Sequence, residues 1–383
     1  MRDDWTVTTL DELVLSGVIL LGRGNVISKK DMEADPGPFP VYSSAQNNDG
    51  RIGTYNQFMF DEELITWSVD GGGYVFYRKH HKFSVTNIGG YLRILDKSKF
   101  LYPFLAAVLQ KLHSEHVFDW QNKAHPSVIR KLYNNIPLAP IDEQKRIVNV
   151  VSSVDAYIDA LQQQVDAART ARNAVLHELL SAGGDDWTET TLGDISTFVG
   201  ARATPESLNP ATLYVGLEHV DPKTPLITRW GDISSVSSSV TPFEPEDVLF
   251  GRLRPYLHKV AFADFAGVCT PEILVLRSST NCDSRYLHLI CSMDSTVKAC
   301  VEMSAGTRMP RTSTTDLASI QILLPSIAEQ QRIVEIVSSM DDVIQATEGA
   351  VVEAKNLRSG LLSDLLSGEH EIPVSYDELL GAA

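Results

Sequence analysis

This chain repeats itself: Trp5–Leu13 returns 182 positions later as Trp187–Ile195. Further on, Glu143–Val148 returns as Glu329–Val334 at an offset of 186, and Val151–Ser153 returns as Val337–Ser339 at the same offset. Asp155 then matches Asp341, Arg172 matches Arg358, and Leu179–Ser181 matches Leu365–Ser367. What lies between these ends does not visibly match. The sequence therefore divides into a variable block (1–140), a repeated block (141–184), a second variable block (185–325), the repeated block again (326–368) and a tail (369–383).

The repeated block reads as a long helix. Ile147, Val151, Val154, Ile158, Leu161, Val165, Ala168, Arg172, Val175 and Leu179 fall alternately four and three apart, the a/d seam of a coiled coil. The second copy keeps the register with Ile333, Val337, Met340, Ile344, Thr347, Val351, Ala354, Arg358, Leu361 and Leu365, and no proline interrupts either run. Ser326 with Glu329 predicts a capping box at the second start, whereas Pro140 in the first has no capping side chain. Gly183-Gly184 and Gly368 are stop signals. Matched seams with an arginine at the same step predict that the two helices pair. About 40 residues make a rod of roughly 60 Å, while a block of about 140 residues has a radius of gyration near 14 Å. Such a block cannot easily carry the chain back along the rod, so the helices should run antiparallel, with one block at each end of a shared stalk.

Both blocks read as mixed α and β, which gives an α+β fold class: two mixed domains separated by two long antiparallel coiled-coil helices, with an internal pseudo-two-fold repeat. Strand patterns cover 64–69, 74–77 and 91–95 in the first block, and 247–250 and 272–276 in the second. Helical patterns cover 103–113 and 284–301. The chain's 43% hydrophobic and 21% charged residues can fill ordinary cores, and its longest apolar stretch, Val14–Leu21, is too short and broken to span a bilayer. Nor does Met1–Asp4 open a signal peptide, so a non-secreted, cytoplasmic protein is expected. Cys269, Cys282, Cys291 and Cys300 have no zinc-like spacing and read as buried reduced thiols.

Catalytic signatures are missing: there is no GxGxxG, GxxxxGK, HExxH or GxSxG. The acidic-x-Lys pattern at Glu143–Lys145 and Glu353–Lys355 lies on the stalk helices, without an acidic partner from a neighbouring strand. No catalytic residue and no metal ligand is expected. The formal charge of -16 is unevenly spread: residues 1–140 balance 15 Lys and Arg against 15 Asp and Glu, while 326–383 hold 3 against 11. Within the blocks, positive charge comes in bursts with aromatic and amide neighbours, at Tyr77–Lys82, Asn122–His125, Arg252–Lys259 and Arg308–Arg311. Such bursts suit phosphates and guanine edges, and they oppose the competing reading of the chain as an acidic adaptor or DNA mimic. His80-His81, set between Arg78-Lys79 and Lys82, fits a basic contact surface better than a metal site.

With its Trp-to-Leu openings at Trp5 and Trp187, its doubled helix entries Pro140–Val148 and Pro325–Val334, and its block-helix-block-helix order, the sequence resembles the specificity subunit of type I restriction-modification systems over nearly its whole length. Gly216–His219 and Asp247–Lys259 are also similar to stretches common in that family. The resemblance implies a non-catalytic subunit with two target recognition domains, each reading half of a bipartite, asymmetric site on double-stranded DNA. The helices would set the spacer and dock two modification subunits, usually joined by two restriction subunits. It implies no cofactor on this chain, with S-adenosylmethionine, ATP and Mg on the partners, and no membrane. The residues favoured for DNA contact are Ser43, Ser44, Gln46, Asn47, Arg51, Arg78, Lys79, His80, Lys82, Lys123 and His125 in the first block. In the second they are Arg202, His219, Arg252, Arg254, Tyr256, His258, Lys259, Arg308 and Arg311. Arginine suits guanine, and asparagine and glutamine suit adenine.

Overall fold

The computed structural model describes residues 5–44, 48–70, 74–118, 122–181, 183–184, 186–222, 226–304 and 309–380. The chain forms two compact units, Met1–Gln162 with Gly349–Ala383, and Gln163–Glu348. The division falls inside both long helices, Ile141–Ser181 and Ile327–Ser367, because each half-helix packs into the core of its own unit.

In the first unit a six-stranded sheet runs in the order Ile19–Arg23, Gly89–Ile94, Phe60–Ser68, Val75–Val85, Phe39–Tyr42, Arg51–Tyr55. Side chains of Phe60–Ser68 alternate as a strand requires. Ile65 and Trp67 join the core built with the helix Tyr102–Ser114, and Leu64 faces the other way with Phe60, Phe83 and Val85. A Cβ at Gly90 would stand 2.2 Å from the Trp67 indole, so only glycine fits beneath that ring. Trp67 Nε1 in turn donates to the Ala124 carbonyl at 2.8 Å and anchors the segment that carries Lys123.

The second unit is built differently. It has two four-stranded sheets: Ser196–Phe198, Ile273–Ser278, Val248–Gly251, Val260–Phe262, and Gly231–Asp232, Leu213–Val215, Gly267–Cys269, Thr241–Phe243. The helical pattern at 284–301 is interrupted: Met293, at φ -63 and ψ 142, separates Ser284–Ser292 from Asp294–Met303. All four cysteines are buried free thiols, and burial pushes Cys269 and Cys282 up to about 12, far from the thiolate.

The repeat reappears as shared bonds. Thr6–Thr8 pairs with Ile136–Leu138 in the first unit, and Thr188–Thr191 with Gln321–Leu324 in the second. Gln144 is fully buried; its Nε2 donates to the Ala139 and Lys99 carbonyls at 2.9 and 2.8 Å, and its Oε1 accepts from Leu101 N at 2.8 Å. Gln330 makes the same set: Nε2 to the Pro325 and Asn281 carbonyls at 2.9 and 3.1 Å, Oε1 from Asp283 N at 2.8 Å. Each glutamine fastens a helix start to its block. Only half of the expected capping box forms at the second start: Glu329 N donates to Ser326 Oγ at 3.4 Å, while the Glu329 carboxylate pairs with Arg332.

Within each unit the half-helices run antiparallel. In the first, Asp155 bonds Arg358 while Ile147 and Val151 share a core with Leu365 and Leu366. In the second, Arg172 bonds Asp341 at 2.9 and 3.1 Å while Leu176 and Leu180 share a core with Ile333 and Val337. The two arginine–aspartate pairs are one bond repeated at an offset of 186. The seam residues Val154, Ile158, Leu161, Val165, Met340, Ile344 and Val351 are all buried or half-buried. After Arg172 the seam drifts by one position. Leu176 and Leu180 are buried where Val175 and Leu179 were expected, as a straight helix slipping against a seven-residue repeat requires. Gly183 and Gly368 end the helices at φ +62 and +68.

Candidate nucleic-acid interface

In the first block the basic burst lies along the strand Val75–Val85, and a bulge in its pairing with Phe60–Ser68, where Leu64 faces Arg78 but Glu62 faces His81, breaks the alternation and splits the burst. Lys79, His80 and Lys82 face solvent, with His80 and Lys82 near Asp61 at 3.8 and 4.0 Å. Arg78 faces inward, which corrects its expected place on the contact surface: it is 5% exposed. Its guanidinium lies 3.7 Å from the Tyr42 ring centroid and 4.5 Å from that of Phe76; Nε donates to Thr66 Oγ1 at 2.9 Å and an NH2 to the Asp49 carbonyl at 2.6 Å. Burial lowers its pKa to about 10, so it stays charged at neutral pH. Ser43 is likewise internal, bonded to Thr86 Oγ1 at 2.7 Å. Both residues hold the loop between Phe39–Tyr42 and Arg51–Tyr55, in which Asp49 adopts φ 52. Ser44 is half-buried and Arg51 exposed, and Gln46 and Asn47 lie outside the described residues.

Lys123 and His125 come together elsewhere on the first unit. With His116, Val117, Phe118, Asn122, Val128 and Leu132 they line a cavity of about 450 Å³. Lys123 is tied to Asp70 at 3.0 Å.

The second block gathers more of its expected residues. Gly251 N donates to the Lys259 carbonyl at 2.8 Å and closes the segment Arg252–His258 into a loop. Three backbone bonds hold this loop to neighbouring segments: Arg252 N to Glu272 O, Arg254 N to Pro310 O and Thr312 N to Arg252 O, each at 2.9 Å. Sequence separation hides this union of two bursts. Inside the loop, Arg254 and His258 bracket a single turn, Pro255–Leu257, and both are left-handed, at φ 54 and 51. For residues with a Cβ such conformations cost of order 1–3 kcal/mol each and concentrate where function requires them. The turn exposes Tyr256 and Leu257 at 53% and 38%. The Arg254 side chain is exposed and makes no hydrogen bond or ion pair among the described residues.

Around the turn, charges are partly committed. Arg252 Nε donates to the Thr312 carbonyl at 3.2 Å, Arg311 to Glu272 Oε1 at 2.7 Å and Lys259 Nζ to the Leu217 carbonyl at 2.6 Å. His258 Nε2 stands 3.5 Å from Asp294. His219 is held apart from this set: its Nδ1 accepts from Gly216 N at 2.9 Å, and its ring meets Tyr214 edge-on. Arg202 is exposed and bonded to Thr241 Oγ1 at 3.1 Å. Arg308 lies outside the described residues. The sequence reading missed Glu272 and Leu257, because a lone acid and a lone leucine give no local signal. Among the described residues no group of three or more His, Cys, Asp or Glu could hold a metal ion, and no helix is long and apolar enough to cross a membrane.

Duplicated helix entries and paired antiparallel half-helices define a repeated framework that carries two dissimilar blocks. The chain belongs to the family of type I restriction-modification DNA specificity domains, whose pattern matches residues 2–168 and 184–354. The specificity subunit of the type I restriction enzyme MpnII of Mycoplasma pneumoniae is 31% identical over 148 residues, 38% of this chain and 44% of that protein. The specificity subunit of the type I restriction enzyme MjaVIII of Methanocaldococcus jannaschii is 21% identical over 411 residues, covering 96% of this chain and 93% of its own. In fold, the chain is similar to the S subunit of a type I restriction-modification system from M. genitalium, with a TM-score of 0.55 and 17% identity over 95% of this chain and 97% of that one. The chain spans 44% of the MpnII subunit and 48% of another Mycoplasma pneumoniae relative, about half the length of such curated relatives.

Proposed function

We propose that this chain is the DNA sequence-recognition subunit of a type I restriction-modification complex, and that each variable block reads one half of a bipartite, asymmetric site in double-stranded DNA. The observation that carries the reading is the duplicated fastening, Gln144 with Asp155–Arg358 and Gln330 with Arg172–Asp341, which mounts two unlike blocks on equivalent supports. Family membership supports it. The chain performs no chemistry itself. Two modification subunits, holding S-adenosylmethionine, dock on the repeated helices, and two restriction subunits supply ATP- and Mg-dependent translocation and cleavage in the cytoplasm. Basic partners supply part of the phosphate neutralisation that a chain of charge -16 lacks.

The test is a methylome of the source cell with and without this chain. Loss of adenine methylation at one two-part motif is the expected result. An unchanged methylome, with no mobility shift of the assembled complex on unmethylated DNA, contradicts the reading and favours an acidic adaptor.

A further inference from the structure

We propose that the turn Arg254–His258 is a wedge: Leu257, seconded by Tyr256, enters the base stack of the second half-site and kinks the duplex there. This rests on the DNA-reading function above and adds a mechanical act to it, so that part of the second block's specificity comes from how readily a base step unstacks.

A wedge must be apolar, exposed, stiff and surrounded by phosphate partners. Tyr256 and Leu257 are the exposed apolar pair of this turn, and Pro255 beneath them is buried. Stiffness comes from closure at every level. Leu257 N bonds the Arg254 carbonyl and His258 N the Pro255 carbonyl, each at 2.9 Å, inside a loop closed by Gly251 and Lys259 and tied to Pro310 and Thr312. The left-handed Arg254 and His258 reverse the chain at both shoulders and push the tip outward. The shoulders seat Pro255 in the fold, but the tyrosine and leucine they turn toward water contribute no stability unless the tip is used.

Charge selects the occupant. Arg252, Arg254 and Lys259 belong to the tip's own loop and Arg311 to the segment bonded to it, against Glu272, which is bonded to Arg311, and Asp294, which faces His258. That excess of cations around an apolar point fits a polyanion with stacked, partable bases rather than an acid-free protein groove. The first block offers no equivalent among the described residues: its left-handed Asp49 and Asn135, at φ 52 and 63, stand singly and far apart and bracket no turn, and Arg78 is turned inward.

The experiment uses the full chain assembled with its modification subunits on a duplex carrying the methylated site. Bending is read by end-to-end energy transfer, and unstacking by 2-aminopurine placed in turn through the second half-site. The wild-type complex should bend the duplex and brighten one position. Leu257→Ala should abolish both signals and weaken binding roughly tenfold, Tyr256→Ala less so, and a mismatch at the brightened step should restore the variant's affinity. Wild-type binding without bend or brightening overturns the wedge and leaves the reading function standing. Loss of modification subunits from the Leu257→Ala chain also overturns it, since the tip would then be a protein contact. A wild-type complex that shows no two-part site at all sinks the reading function itself, which the wedge variants alone would not do.

Discussion

Gln144 and Gln330 make the same three bonds, yet the first fastens a block with a six-stranded sheet and the second a block with two four-stranded sheets. A buried amide that satisfies two carbonyls and one N–H at once tolerates little change, whereas the sheets beyond it are free to differ. The two units part company again two residues on. Arg146 is 12% exposed, bonded to Glu143 and, at 2.9 and 3.0 Å, to Asp377 of the tail; its repeat equivalent Arg332 is 58% exposed and holds only Glu329 among the described residues. The framework is thus duplicated in its buried bonds and asymmetric where the tail adds to one copy.

The comparison breaks most sharply at the glutamines. Gln144→Leu and Gln330→Leu each strand an N–H and two carbonyls in a core, and should cost about 3–5 kcal/mol, alike in both units. Urea unfolding of the full chain measures this, and a loss confined to one variant would show that the two fastenings are not equivalent.

Acid should separate the units next. His288 is buried beside Ser292 and Phe262, near Arg172, Asp341 and Arg285, and desolvation first, then the arginines, lower it from 6.5 to about 4. The unfolded chain binds the proton first. The stability this neutral histidine contributes is therefore complete above about pH 6.5 and is lost as pH falls toward 4, by about 3 kcal/mol. Acid unfolding followed by emission of Trp187 and Trp230 should begin at higher pH than that followed by Trp5 and Trp67, and His288→Gln should remove the difference.

Smaller effects grade the ion pairs. Arg172→Ala should cost about 1–2 kcal/mol and Arg358→Ala less, since the Arg358 pair is the more exposed, with side chains at 32% and 45% against 15% and 31%. A double-mutant cycle with Asp341→Ala and Asp155→Ala reads each coupling, and the reverse order would contradict the grading. Asp377→Ala should have the smallest effect on stability, because the carboxylate is half-exposed and its pairing is screened by water. It should leave Arg146 as free as Arg332, as guanidinium hydrogen exchange can report.

Much of this framework is legible in the sequence. The seam, the stops and the pairing of the helices follow from a seven-residue pattern written twice. The ion pairs were half-visible: Asp155 and Asp341 match across the repeat, but only antiparallel pairing sets each opposite the other copy's arginine. The interface was read less well. Arg78 sits in a basic run, yet the bulge that follows it parts it from His80 and Lys82 and leaves it under Tyr42, and Ser43 turns inward to Thr86. Arg311 and Arg254 are 57 positions apart in sequence and meet only through backbone bonds that no local pattern encodes.

The stalk as a ruler is the claim on which the two-reader account stands. Four residues inserted after Leu161 and four after its repeat equivalent Thr347 lengthen each helix by about 6 Å, near two base pairs of DNA. Mapping adenine methylation by the complex with this lengthened chain should give the same two half-sequences with a wider gap. An unchanged gap, with both half-sequences still methylated, would contradict the account.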